Sequence, residues 1–214
     1  MKVKTKKNKV LRRYTSLPAL LHLLKNEKIT LLSPATWDDR NDRFFMNEYK
    51  RRMKVKSVLA LCFTTTNETY HHWKVFTNGS DGVRIDFKQE EFLAAIKKHK
   101  VIQARPVTYK KIAAISHLRP KVSDLPFLKR EPYGDERELR LVCVDRDEEI
   151  ESKEFEIDLA CIQRITLNPW LPESLVESVR STIRLIGGEC ETMEIYQTTL
   201  LENKKWKRAA MRSA

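Results

Sequence analysis
A chain of 214 residues with 41% hydrophobic and 33% charged side chains is one ordinary domain, long enough to bury its own core. Only 5 glycines and 8 prolines argue against collagen-like, linker-like or low-complexity architecture, and no apolar run approaches the roughly 18–20 residues of a membrane span. The formal net charge is +12, and it resides in the ends: residues 1–13 and 203–214 are rich in Lys and Arg and carry no acid, which leaves the middle formally neutral.

In chain order, Val10 to Tyr14 reads as a short strand. Thr15 or Ser16 then caps a helix with Pro18 in its first turn, and Leu17, Leu20, Leu21 and Leu24 fall on one face. Ile29 to Leu32 is a strand, Ser33 to Asp42 a polar loop, and Phe44 to Met53 a basic helix. Ser57 to Phe63 is an apolar, central strand. A loop over Thr64 to Thr69 leads into a short aromatic helix, Tyr70 to Phe76. Val83 to Phe87 alternates as a strand, and Glu90 to Lys98 is helical.

Val101 to Tyr109 is a strand interrupted by Pro106. Arg137 to Val144 alternates, with Leu139, Leu141 and Cys143 on one face. Strands follow at Phe155 to Asp158 and Ile162 to Leu167, then an amphipathic helix from Pro172 to Ile186 and a last strand from Met193 to Thr199. Strands and helices mix without regular βαβ alternation, so the expected fold is α+β: one domain over residues 10–202, a mixed central sheet with flanking helices, and basic tails at 1–9 and 203–214. Trp206, inside the last basic run, is expected to anchor that tail onto the domain.

Cys62, Cys143, Cys161 and Cys190 are widely spaced without a CxxC pair, which points to a reduced, cytoplasmic protein. No P-loop, GxGxxG, HExxH or GxSxG motif occurs. The five histidines have no metal-ligand spacing and read as core or hydrogen-bonding residues, so no metal site is assigned. The two tails and residues 97–121, which hold eight Lys/Arg and no acid, are suited to a polyanion such as nucleic acid.

Four clusters carry possible chemistry. Arg12-Arg13-Tyr14 stands at a strand end, where a guanidinium can grip phosphate, or simply root a basic tail. Trp37-Asp38-Asp39-Arg40-Asn41-Asp42 puts three acids in a short loop, suited to binding metal, orienting a basic partner or capping the next helix, with capping and turn chemistry favoured. Thr64 and Thr65 deliver hydroxyls at the end of a buried strand, followed by Tyr70 and Trp73, which serve either a ligand or the core. Glu136 and Glu138 share one face if the strand begins by Glu136; they are a carboxylate pair with a task, or partners of Arg137 and Arg140.

In their order, these pieces resemble a bacterial and phage family, family 2971 of the domains of unknown function. The matching stretches are Leu11 to Leu17, Ser33 to Asp42, Leu61 to Phe87, Lys129 to Arg140 and Ile165 to Pro172. More distantly, the set is similar to ADP-ribosyltransferases of the Arg–Ser–Glu type. That resemblance implies NAD as the bound nucleotide, with Arg13 or Arg12 on its phosphate. It implies that Thr64 or Thr65 orients the glutamate, and that Tyr14, Tyr70 or Trp73 stacks on nicotinamide. Glu138 would stabilise the oxocarbenium-like transition state and Glu136 assist the acceptor, a nucleic acid or protein, in a setting such as bacterial defence or a toxin system. The competing readings are a non-catalytic nucleic-acid-binding protein, and a metal-dependent nuclease using Asp38, Asp39, Glu136 and Glu138.

Overall fold
The computed structural model describes residues 9–77, 79–115, 117 and 119–212. The expected amino-terminal tail therefore lies, apart from Lys9, outside the described residues. Strand β1 (Val10–Ser16) runs into helix α1 (Leu17–Asn26) and strand β2 (Lys28–Leu32). Ser16 is the α1 N-cap: its Oγ accepts from the Ala19 amide at 3.3 Å, with Pro18 in the first turn as expected. Ser16→Ala should cost about 1 kcal/mol in denaturant unfolding; an unchanged midpoint would show that Pro18 and leucine packing set this helix start without the cap.

Helix α2 (Arg40–Met53) begins earlier than the expected Phe44, because Asp39 caps it by accepting from the Asn41 and Asp42 amides. Then come β3 (Ser57–Thr64), α3 (Tyr70–Phe76), β4 (Gly82–Lys88) and α4 (Gln89–Lys97). The strand expected over Val101 to Tyr109 is two strands. β5 (Ile102–Pro106) pairs with the main sheet, while β6 (Thr108–Lys110) pairs in parallel with β7 (Leu128–Arg130) in a separate small sheet. Pro106 has no amide to extend the ladder, and the chain changes sheet there. The short helix α5 (Ile112–Ile115) follows β6.

Strand β8 (Glu138–Asp145) follows a 3-10 segment, Glu131–Glu136. β9 (Ser152–Glu156), β10 (Ile162–Leu167), α6 (Glu173–Arg184), α7 (Glu189–Thr192), β11 (Ile195–Gln197) and α8 (Lys204–Ala210) complete the chain. All four cysteines are free.

Nine strands form one mixed sheet in the order β11-β10-β4-β1-β3-β2-β9, with β8 on the other edge of β3 and β5 beyond β8. Only β10 and β11 are parallel within it. β3 is the junction. It pairs with β8 along its whole length, with β2 at Ala60 and with β1 at Thr64.

One sheet face is apolar. Leu11, Phe63, Ile85, Phe87, Leu139 and Leu141 are buried there against leucines of α1 and against Phe92 and Ile96 of α4; each such side chain contributes about 1.5–3 kcal/mol. On the other face, Val58, Ala60 and Val142 pack under Met46 and Tyr49 of α2 and under Leu125 and Phe127. Beyond that patch this face becomes polar. No helix among the described residues is long and apolar enough to cross a membrane.

Candidate active site
Strand register brings three distant stretches abreast. Arg12 of β1 lies opposite Thr64 of β3, and Thr64 lies opposite Glu138 of β8. Direct cross-strand partners project to the same face, with strands about 4.8 Å apart. A cation, a hydroxyl and a carboxylate therefore form one row across the sheet. On the other side of β1, Asp86 of β4 faces Arg12, and Tyr14 faces Arg84.

The carboxylate end is a buried ion cluster. Arg140 is fully buried, and its guanidinium meets both oxygens of Glu138 (Nε–Oε1 2.7 Å, Nη2–Oε2 2.9 Å) and both of Asp42 (2.9 and 2.7 Å). It also donates to the Pro126 carbonyl at 2.8 Å and lies 4.7 Å from the Trp37 ring centroid. Lys129 Nζ bonds Glu136 at 2.7 Å and sits 3.7 Å from Glu138 and 3.8 Å from Asp42. Burial works to raise the pKa of Glu138, but Arg140 outweighs it and holds the group below its ordinary value. Asp42 and Glu136 are pushed up, burial being the larger influence.

Glu136 is not on the strand. It ends the 3-10 segment, and Arg137 turns the chain in the left-handed region at φ 41° before β8 begins at Glu138. The expected shared strand face is thus replaced by a shared cation, Lys129.

The hydroxyl run holds that turn. Thr64 Oγ1 donates to the Glu136 carbonyl at 2.6 Å, and Thr65 donates to the Arg137 carbonyl through both its amide (3.2 Å) and its Oγ1 (3.0 Å). Arg12 is partly buried and only loosely held, by the Thr65 carbonyl at 3.5 Å and Asn67 Oδ1 at 3.3 Å. It forms no ion pair among the described residues. Burial lowers its pKa, yet a guanidinium remains charged. Arg13 lies opposite Ile85 and donates to the Cys62 carbonyl at 3.0 Å, so it is tied to the β3 backbone.

Helix α3 sits over Tyr14. The Tyr14 ring meets Trp73 edge-on at 5.0 Å and His72 at 5.5 Å. Burial pushes the Tyr14 phenol up to about 12, and its hydroxyl lies beside Arg84 without a well-formed hydrogen bond. Trp73, expected as a stacking candidate, is fully buried; its Nε1 donates to Glu68 Oε1 at 2.7 Å, so it is a packing residue with no free ring face. Glu68 also approaches Arg84 at 3.2 Å, and Arg84 pairs with Asp86 at 2.7 Å. Tyr70 is 46% exposed, beside Trp170.

Two cavities, of about 200 and 670 Å³, lie off the row. The smaller adjoins the ion cluster through Asp42 and Lys129 and is walled by Phe45, Ile112 and Leu128. Among the described residues no three His, Cys, Asp or Glu side chains gather to hold a metal ion; Asp39 caps α2 through Oδ1, and its buried Oδ2 has no hydrogen-bond partner among them.

Sequence reasoning did not join two members to the cluster. Asp42 read as one of three loop acids, a basic partner being one of their alternatives, and Lys129 only as part of a family-like stretch. The available signal was Arg140, a lone charge inside an apolar strand, which needs buried acids. Arg84 and Asp86, alternating with the apolar residues of β4, gave the same kind of signal.

No protein-family model matches the chain, so the expected membership of family 2971 has no such match behind it, and no curated protein matches either. Solved structures of DarT from Thermus sp. 2.9 are similar in chain path. The complex with NAD+ has a TM-score of 0.47 at 11% identity, covering 90% of this chain and 96% of that one. The complex with ADP-ribosylated ssDNA has 0.46 at 14%, covering 92% and 98%, and that with carba-NAD+ has 0.45 at 12%, covering 94% and 98%.

Proposed function
We propose that the protein is an ADP-ribosyltransferase-like enzyme that consumes NAD as a substrate. The observation that carries this reading is the row Arg12, Thr64 and Glu138 on three neighbouring strands. Arg12 makes no close ion pair among the described residues, Asp86 across from it being engaged by Arg84, which leaves its guanidinium available to a phosphate of NAD. Arg13, tied to the Cys62 carbonyl, supports β3 beside it. Thr64 and Thr65 clamp the turn that delivers Glu138. Tyr70, the exposed ring, lies against nicotinamide, whereas Tyr14, enclosed by Trp73, His72 and Phe76, packs beneath α3.

In the reaction the glycosidic bond to nicotinamide breaks, and its electron pair leaves with the nicotinamide. Positive charge develops on the ribose, and the fixed anion of Glu138 stabilises it. A lone pair of the acceptor, a group on nucleic acid or protein, forms the new bond at the same carbon. Its proton passes to Glu136, whose raised pKa suits a base.

The test is an NAD titration by calorimetry alongside a nicotinamide-release assay with cell lysate as a source of acceptor. Arg12→Ala should weaken NAD binding about 10- to 100-fold, as expected for a charge-assisted contact, with an unchanged melting curve. No binding and no release by the parent chain, or equal affinity in the variant, would overturn the reading.

One observation favours a second reading, a nucleic-acid-binding protein without catalysis. Glu138 and Glu136 are both already ion-paired, to Arg140 and Lys129. On that reading the parent chain releases no nicotinamide.

A further inference from the structure
After β11 the chain leaves the rim of the polar face. Thr198 Oγ1 donates to Glu68 Oε2 at 2.8 Å, and Asn203 Nδ2 donates to Thr199 Oγ1 at 2.9 Å. Asn203 then caps α8, its side chain accepting from the Lys205 and Trp206 amides at 3.0 and 3.1 Å. Nothing in α8 is buried. Trp206, expected to be an anchor on the domain, is 82% exposed, as is Met211. The anchor expectation is corrected: the indole touches no core.

The same segment is strongly basic. Lys204, Lys205, Lys207, Arg208 and Arg212 occur without an acid. Lys207 is met by Glu202, whereas Lys204, Lys205, Arg208 and Arg212 form no ion pair among the described residues. An exposed indole set among unpaired cations matches a polymer that offers both phosphates and flat bases. A duplex hides its base faces, whereas a single strand presents them for stacking. A seven-residue helix with one large apolar side chain and cations around it lacks the continuous apolar face needed to lie in a membrane surface.

We propose that α8 is a docking surface for single-stranded nucleic acid. Trp206 stacks on a base, and Lys204, Lys205, Arg208 and Arg212 contact the flanking phosphates. The binding claim stands on this surface alone. Its consequence rests on the transferase reading: α8 begins six residues beyond the Thr198 contact with Glu68, and a strand held on it is the acceptor offered to the site.

The test is fluorescence-anisotropy titration of the full chain, without NAD, against labelled oligo-dT, oligo-U, a DNA duplex and anionic phosphatidylserine vesicles. Trp206→Ala should weaken single-strand binding about tenfold while leaving duplex affinity unchanged. Combined Lys204→Ala, Lys205→Ala and Arg208→Ala should make the salt dependence shallower by about 2 on a log–log plot, at roughly 0.7 per cation for single strands. Equal single-strand affinity in Trp206→Ala overturns the proposal, as does Trp206-dependent vesicle binding without oligonucleotide binding. Because NAD is absent, failure here is distinct from failure of the nicotinamide-release assay.

Discussion

Arg140→Met should destabilise the fold by about 3–5 kcal/mol at neutral pH, the largest stability effect expected of a single substitution here. Methionine replaces the bulk of the side chain but not its charge. Asp42 and Glu138, 3% and 5% exposed, would then remain as buried anions without a bidentate partner, with Lys129 near both and Arg13 in the field of Glu138. Equilibrium urea unfolding measures the loss, and a change below 1 kcal/mol would show that the cluster is not strongly coupled. Adding Asp42→Asn and Glu138→Gln to Arg140→Met should recover much of the stability, because contacting groups are not additive.

The pH dependence has a definite sign. In the parent chain Arg140 depresses the Glu138 pKa. Its stabilising contribution is therefore present above the unfolded carboxylate value, about 4.3, and is lost as pH falls through the lower folded value. Asp42 and Glu136 are raised by burial and act oppositely: their anions are costly in the fold, and that cost disappears as pH falls below their unfolded values. Without Arg140, Glu138 joins the raised group. The deficit of the variant should therefore be greatest near pH 7 and shrink towards pH 4. A deficit that grew on acidification would contradict this account.

Glu138→Gln should lower NAD turnover by on the order of 10²–10³-fold, the usual loss when a preorganised electrostatic contact is removed, with NAD affinity within a few-fold of the parent. Glutamine keeps the shape, and Arg140 keeps its two bonds to Asp42 and its bond to the Pro126 carbonyl. Melting curves run in parallel separate a chemical loss from a folding loss. Because Glu136 must be ionised to accept the proton and burial raises its pKa, the acid limb of the parent pH–rate profile should lie above the ordinary glutamate range, while Arg140 keeps Glu138 ionised throughout it. Unchanged turnover in Glu138→Gln would remove this residue from the mechanism and favour the non-catalytic reading.

Much of the fold is legible in local pattern. The alternation at Leu139, Leu141 and Cys143 gives the buried face of β8, and Ser16 with Pro18 gives the start of α1. The hydroxyl run at Thr64 and Thr65 is legible as a strand end. The site is less so. Arg12 and Arg13 are adjacent, and their roles separate only when β1 takes its register against β3 and β4. Glu136 and Glu138 look like one strand face until Arg137 adopts a positive φ.

By itself, the sequence determined the α+β class, the apolar strands and capped helices, and the confinement of excess charge to the termini. Those properties depend on residues close together in the chain. Tertiary structure alone decided that Asp42 belongs to Arg140, that Trp73 is enclosed and that Trp206 stands in solvent. Burial and ion pairing are set by what long-range strand register brings alongside, and a residue's type does not name its neighbours.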